Sequence, residues 1–231
     1  MTPYHFAGER LMLDPEGALF WPAQRLLAVA DLHLEKGSAA ASKGSLLPPW
    51  DTSATLDRLA RLLRRHRPAT LLALGDSFHD INGVARLQAR DAQRLAAIAG
   101  ATEMVWVLGN HDPAPPAGLP GVSVAEWRAG GLVFRHIATA ENAEISGHYH
   151  PKASVPAAGA VITRPCFVAD ARRLLLPAIG AYTGGLDVRD PAIAGLFPRG
   201  GRVFLLGRDK LFSFPLAARR NAAQNPVLPH I

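Results

Sequence analysis

Short apolar runs punctuate the first two thirds of the chain, and polar clusters follow most of them. The runs are Leu26-Leu27-Ala28-Val29-Ala30, Thr70-Leu71-Leu72-Ala73-Leu74, Met104-Val105-Trp106-Val107-Leu108, Gly131-Leu132-Val133-Phe134 and the shorter Ala143-Glu144-Ile145-Ser146. Continuous runs of this length, without polar alternation, read as buried strands. Ahead of them, Leu11-Met12-Leu13 and Ala18-Leu19-Phe20-Trp21 flank Asp14-Pro15-Glu16-Gly17, turn residues between apolar segments, which predicts a hairpin. Two helices are predicted between the first three runs. One spans about Ser53 to Arg65, with Leu56, Leu59, Ala60 and Leu63 at helical spacing and Arg58, Arg61 and Arg65 on another face. The other spans about Val84 to Ala99 and carries the stripe Arg86, Arg90, Arg94, with Leu87, Leu95 and Ile98 elsewhere. Strand–helix–strand–helix–strand implies βαβ units and a parallel sheet, an α/β chain.

The last third changes character. Ala160-Val161-Ile162, Cys166-Phe167-Val168, Leu174-Leu175-Leu176 and Val203-Phe204-Leu205-Leu206 read as short strands without long helices between them, with a loop at Gly180–Gly185. A second sheet packed on the first would use these strands together with the early hairpin. No internal repeat or composition break divides the chain. One domain is expected over residues 1–216, followed by a poorly tied, flexible tail at 217–231.

Composition narrows the class. Of 231 residues, 48% are hydrophobic and 19% charged, which excludes disordered and collagen-like chains. No run of about eighteen apolar residues predicts a membrane span, and MTPYHFAGER lacks the apolar core of a secretory signal. A single cysteine, Cys166, cannot form an internal disulfide, which suggests a reducing compartment, most simply the cytoplasm. The net charge is +6, carried mostly by arginine, and the pI is about 10.1. Abundant arginine and alanine also fit a GC-rich genome, so the charge adds only modest weight to a polyanionic partner.

Chemistry concentrates just past the strands. Asp31-Leu32-His33 follows the first run, Gly75-Asp76-Ser77-Phe78-His79-Asp80 the second, and Gly109-Asn110-His111-Asp112 the third. His136 follows Phe134-Arg135, and Gly147-His148-Tyr149-His150 follows the Ile145 strand. Ligands of open α/β sheets bind outside the carboxyl ends of the strands, so these residues should converge. Carboxylate, imidazole and amide donors without thiolate suit Mn, Fe, Zn or Ni. On an extended backbone, Asp31/His33 and His148/His150 each point one way and can approach one cation. Asp76 is the best bridge between two cations, because the other candidates come as flanking pairs. The glycines before Asp76, Asn110 and His148 fit sharp backbone turns.

The motifs D-x-H, G-D, G-N-H-D and G-H-x-H, in that order from Asp31 to His150, resemble the calcineurin-like metallophosphoesterase superfamily. His79 stands where the general pattern has aspartate, with Asp80 next. That departure resembles the superfamily's DNA-repair nuclease branch, in which a histidine there contacts the phosphate. Together DLHLEKGS, LLPPWDT, LGDSFHD, GHYHP and GAYTGGLD look like the bacterial ligase-associated DNA-damage-response endonuclease family. The resemblance implies a four-layer αββα sandwich of two mixed sheets with helices outside. It implies metal-dependent phosphodiester hydrolysis of DNA in repair, with two divalent ions, manganese first and iron or zinc as alternatives. By similarity, Asp31, His33, Asp76 and His150 hold the first ion, and Asp76, Asn110, His136 and His148 the second. A bridging hydroxide would attack phosphorus in line, the cations clamping the phosphate. His111 would protonate the leaving oxygen or stabilise the transition state, with Asp112 orienting its ring. His79 would position the phosphate. An ATP-dependent DNA ligase and a helicase are the implied partners, with no membrane.

Other residues carry weaker signals. His5, His66 and His230 lack such context and read as surface residues; Trp106 and Cys166 read as core. Lys36, Lys43, Lys152 and Arg164 sit in loops near the site, where phosphate contact competes with ordinary solvation. The arginine stripes read as solvated faces, Arg135 as either substrate-facing or supporting His136, and Asp80 as a supporting or turn residue. Two rival functions stay open: hydrolysis of small phosphodiesters or nucleotides, and a non-catalytic metal-binding module in a repair complex.

Overall fold

The computed structural model describes residues 1–45, 47–139, 141–157 and 159–218. The expected tail therefore lies almost wholly outside the described residues, as does His230. Two sheets face each other. The first runs in the order β1 (Thr2–Phe6), β2 (Glu9–Leu13), β3 (Leu19–Trp21), β4 (Leu26–Val29), β5 (Thr70–Leu74), β6 (Glu103–Val107) and β7 (Val122–Val124). Its β4 to β7 are parallel and β1 to β4 antiparallel. The helices α1 (Lys36–Ser42), α2 (Asp51–His66), α3 (Gly83–Arg86) and α4 (Ala89–Ala101) belong to this half of the chain.

The second sheet uses β8 (Glu126–Ala129), β9 (Leu132–Arg135), β10 (Glu144–Ser146), β11 (Lys152–Ala157), β12 (Ala160–Ala169), β13 (Arg173–Leu175), β14 (Gly201–Leu206) and β15 (Leu211–Leu216). Its order is β15-β14-β12-β13-β10-β9-β8, with β11 pairing on β12. A short helix, α5 (Pro191–Ala194), precedes β14. No helix among the described residues is long and apolar enough to cross a membrane.

Alternation within the strands sorts the layers. In β5, Leu72 and Leu74 join Val105 and Val107 of β6 against Phe134, Ile145, Phe167, Leu174 and Phe204 of the second sheet. Leu71 and Ala73 point the other way, against Leu56, Leu59 and Leu62 of α2 and Leu95 and Ala99 of α4. Cys166, Val168, Leu175, Val203 and Leu205 pack under Val188, Ile193 and Phe197. The fourth layer is thus only α5 and the segments flanking it.

The early hairpin belongs to the first sheet, not the second. After β3 only Pro22–Arg25 separate the chain from β4, and Leu19 pairs with Ala28 in antiparallel register. A connection this short returns the chain beside itself in one sheet. The second expected helix is also two. Leu87 and Gln88 take extended conformations between α3 and α4, which lets Arg86 turn back to a bidentate pair with Asp80 and a bond to Ser38 in α1. Residues Ala160–Ala169 form one ten-residue strand where two short ones were expected.

Candidate metal centre

Register gathers the site. In the parallel ladder Val29 pairs with Ala73 and Leu74 with Val107, so Asp31, Asp76 and Asn110 leave the same sheet edge. In the second sheet Ser146 pairs with Arg135, which sets His136 beside the segment carrying His148 and His150. The ends of β4, β5, β6, β9 and β10 therefore deliver seven donor side chains to one place.

The local backbone differs from the expected extended one. Asp31 (φ 55°), His33 (φ 42°), Asp76 (φ 46°), His148 (φ 71°) and His150 (φ 45°) are all left-handed, a conformation that L side chains seldom adopt. Their i, i+2 convergence is thus made by successive sharp turns. Left-handed non-glycine residues cost stability and cluster where surrounding structure and function over-determine them. Gly75 does turn sharply, at φ 72°, but its larger constraint is space: a Cβ there would lie 2.4 Å from the His136 ring. At Gly109 a Cβ would lie 2.2 Å from Asp76 Oδ1, and at Gly147 2.6 Å from Asp31 Oδ2. These glycines let backbone press directly against the candidate ligands.

Two groups result. Asp31, His33 and His150 form one, with His150 Nε2 3.3 Å from both Asp31 Oδ1 and His33 Nε2. Asp76, His136 and His148 form the other, with His136 Nε2 3.3 Å from Asp76 Oδ1, 3.2 Å from His148 Nδ1 and 2.9 Å from Asn110 Oδ1. Asp76 links this group to the first, its Oδ2 lying 3.6 Å from His33 Nε2. Asp31, His33, Asp76 and His136 are buried. The His136 Nδ1 donates to the Leu74 carbonyl at 3.0 Å, which turns Nε2 toward the cluster. The Asp31 carboxylate is held by the His148 N–H, and Asp76 Oδ1 by the His111 N–H.

This donor set fits two divalent cations. Facing ring nitrogens about 3 Å apart can share at most one proton, and buried carboxylates need positive charge. Oxygen and imidazole donors without sulfur match the intermediate divalent metals. Burial depresses the His33 imidazole to about 3, helped by the neighbouring His150, His111 and His79 against Asp76, so the ring is a free lone-pair donor. Burial alone would raise the Asp76 carboxyl, but hydrogen bonding and charge from His136, the His111 N–H and His33 outweigh it and hold it near 2.

The remaining predicted residues lie at the rim. His111 Nδ1 donates to the His79 carbonyl at 2.8 Å, so its Nε2 faces inward, 3.9 Å from Asp76 Oδ2. His79 stacks on His111 with ring centroids 5.3 Å apart, and its Nδ1 is 3.5 Å from His33 Nδ1. Asp112 does not orient His111 in the expected manner. Its Oδ2 accepts the Ser77 and Phe78 N–H groups and its Oδ1 that of Gly109, so it ties the Asp76 turn to the Asn110 turn, while the His79 carbonyl sets the His111 ring. Burial, reinforced by Asp76, raises the Asp112 carboxyl to about 6.

Other expectations divide. Trp106 and Cys166 are core, and His5 is exposed. His66 is buried instead, bonded to Asp14, and the arginine stripes are largely paired rather than merely solvated. Arg61 and Arg65 reach Glu16 and Asp14; Arg94 pairs with Asp57 and Asp91. Arg135 is occupied by Glu126 and Glu141. Asp80 is both a turn residue, accepting the Asn82 N–H, and the partner of Arg86. Lys36 and Lys43 lie close enough to His79 to depress it, burial acting first.

Sequence reasoning misses one supporting residue. Glu35 is buried and left-handed, accepts from Thr52 and Ser38, and fastens the turn after His33 to α1 and α2. The signal for it is the continued i, i+2 spacing of Asp31, His33 and Glu35.

The family model described as calcineurin-like phosphoesterase matches residues 24–166. Among solved structures, Pseudomonas putida nuclease MPE is similar at 28% identity, with 92% of this chain and 99% of that one covered and a TM-score of 0.69. Yfce, a phosphoesterase from E. coli, aligns at 13% identity over 83% of this chain and 98% of its own, with a TM-score of 0.42. No curated protein matches the chain. The matched span contains every strand end that carries a candidate ligand, and the chain belongs to the calcineurin-like phosphoesterase family.

Proposed function

We propose that the chain is a dinuclear-metal phosphodiesterase that cleaves DNA, of the ligase-associated endonuclease group, acting in the cytoplasm with manganese as its working ion. The observation that carries the reading is the adjacency of two Asp/His triads, with Asp76 of one 3.6 Å from His33 of the other. Asp31, His33, Asp76 and His150 would hold one cation, and Asp76, Asn110, His136 and His148 the other. Bound there, divalent cations supply Lewis-acid charge for phosphoryl oxygens and make water acidic enough to ionise near neutrality.

The chain's own residues do the rest. His111 presents Nε2 to the cluster while Nδ1 is pinned by the His79 carbonyl, so a proton delivered to a leaving oxygen comes from Nε2. Its side chain is 40% exposed, which lets the ring exchange that proton with solvent. His79, within electrostatic reach of Lys36 and Lys43, would hold a phosphate oxygen. Asp112 keeps the Asp76 and Asn110 turns in register. The similarity to the nuclease MPE, at a level that covers nearly both chains, supports a nucleic acid over a small diester.

Metal analysis of freshly purified protein, with parallel assays on circular DNA and a small aryl phosphodiester, tests the reading. About two equivalents of metal and nicking of the circle are expected. Turnover of the aryl diester with untouched DNA at high enzyme concentration would discard the nuclease assignment. Absence of turnover on both substrates with metal present would leave a metal-binding module.

A further inference from the structure

On the far side of the segment that backs Asp31 lies a cavity of about 440 Å³ lined by Arg58, Arg61, Arg164 and Arg208, with Glu16 as its carboxylate. Its arginines come from three separate elements: α2, β12 and the β14–β15 turn. Such a gathering from sequence-distant segments brings positive charges close together, which costs repulsion unless an anion is met there. Arg61 already binds Glu16, and Arg65 shares that same carboxylate. Arg58 is partly buried and donates to a neutral acceptor, the Ile179 carbonyl, at 2.8 Å. Burial depresses its pKa against the pull of Glu16. Arg164 and Arg208 are exposed. The charge of the lining is therefore well in excess of what Glu16 offsets.

The cavity is close to the reaction centre. Gly180 N–H donates to the Asp31 carbonyl at 3.1 Å, and the next carbonyl back, that of Ile179, receives Arg58. One peptide unit and two hydrogen bonds therefore separate the Asp31 backbone from the Arg58 guanidinium, on the order of 10 Å. A second link runs along β11. Lys152 pairs with Pro165, next to Arg164, and its Cε lies 3.0 Å from where a Cβ on Gly185 would sit, itself 2.1 Å from the His150 carbonyl. β11 thus joins the His150 turn to β12, the strand that carries Arg164. Successive phosphates of one nucleic-acid strand step by a few ångströms, so a span of this size corresponds to a few nucleotides.

We propose that this arginine cavity is a second phosphate-binding subsite, which grips the DNA backbone a few nucleotides from the phosphodiester being cut. The proposal rests on the DNA reading above and adds to it the means of recognition: guanidinium forks on backbone phosphates, without base readout. It gives long strands an advantage that short diesters cannot use.

The test pairs binding with turnover. Arg164→Gln/Arg208→Gln changes two exposed side chains, and an unchanged melting temperature checks that the fold is kept. Anisotropy of a labelled oligonucleotide about 30 nucleotides long, titrated at several salt concentrations, should show roughly 10-fold weaker binding. The slope of log affinity against log salt should flatten by about 0.7–0.9 for each phosphate that the variant no longer neutralises. In turnover, the KM for the oligonucleotide should rise with kcat nearly constant, while the aryl diester is hydrolysed as before. Equal affinity and an equal salt slope for the double variant and the unaltered protein would overturn the subsite, even with DNA cleavage intact. If the unaltered protein binds DNA with the expected slopes yet cleaves only the aryl diester, the nuclease reading fails and the subsite stands as a binding site.

Discussion

Two buried clusters in this molecule pair aspartate with histidine, and they are compensated in opposite ways. At the hairpin turn, Asp14 is fully buried and bonded to His66 Nε2 at 2.8 Å, and both its oxygens also receive Arg65. The Glu16 N–H completes the set. Every charge there meets a partner supplied by the chain, so the cluster ties α2 to the β2–β3 turn. At the strand ends, Asp31 and Asp76 are equally buried, but their ion-pair partners are histidines. Those rings face one another at 3.2–3.3 Å instead of spreading to separate acceptors. The first arrangement is finished without any ligand. The second holds two carboxylates and four imidazoles whose donor atoms converge instead of spreading, as a cation receptor requires. The same residue types therefore act as a clasp in one place and as a receptor in the other.

The comparison breaks most sharply at Asp76. Asp76→Asn removes the charge that links the two groups, so metal content should fall well below two equivalents. Turnover should drop by more than about 10³-fold, beyond the loss typical of a single electrostatic donor. Elemental analysis and a diester assay read the two effects; retention of both metals at full rate would show that Asp76 bridges nothing. The next largest effect belongs to His111. His111→Ala should leave both metals bound and slow the chemical step by roughly 10²–10⁴-fold, the usual span for a general acid. Metal lost along with activity would instead make His111 part of the ligand set.

What is legible in the sequence, and what is hidden, follows the same division. The buried strands are legible because runs such as Leu26–Ala30 and Thr70–Leu74 are apolar on both faces, and the parallel order follows from the helices between them. The site is legible because its ligands sit directly after those strands, where the register of β4, β5 and β6 aligns Asp31, Asp76 and Asn110. The left-handed backbone at Asp31, His33, His148 and His150 is not, because side-chain spacing reports which residues are close and not how the chain turns between them. The role of Asp112 escapes for a related reason: its partners are backbone N–H groups of Ser77, Phe78 and Gly109, which almost any residue carries. His66 reads as a surface residue because nothing local marks its burial; its partner is 52 residues away. The hairpin goes to the wrong sheet because its pairing is set by the short Pro22–Arg25 connection, which periodicity does not register.

The clasp should respond to mutation in stability and not in chemistry. Asp14→Asn keeps the shape but removes the charge that Arg65 and His66 meet. Breaking a fully buried pair costs about 3–5 kcal/mol; here about 2–3 kcal/mol is expected, because Arg65 is partly exposed and retains Glu16. Chemical denaturation should show a lower midpoint at an unchanged slope. Metal content and turnover of the folded enzyme should match the unaltered protein. A loss of metal in this variant would mean that the two clusters are coupled and that the contrast between them is false.

Acid gives the smallest and finest test of that contrast. Burial by itself would raise the Asp14 carboxyl, but the hydrogen bonds of His66, the Glu16 N–H and Arg65 outweigh it and hold the group near 2, below its ordinary 3.8. A carboxyl depressed in the folded state adds stability that is complete above its unfolded pKa and disappears as pH falls through its folded pKa. The relevant window therefore runs from about pH 4 down to about pH 2, and the stability at stake is roughly 2 kcal/mol. Metal-free protein isolates this group, since the ligands at the strand ends then change in the same way in both chains. The stability difference between the unaltered protein and Asp14→Asn should stay constant above about pH 5 and shrink by that amount toward pH 2. A difference that holds level through the whole range would show that Asp14 is not held as a paired anion, and the hairpin clasp would owe its strength to packing around Phe20 and His66 instead.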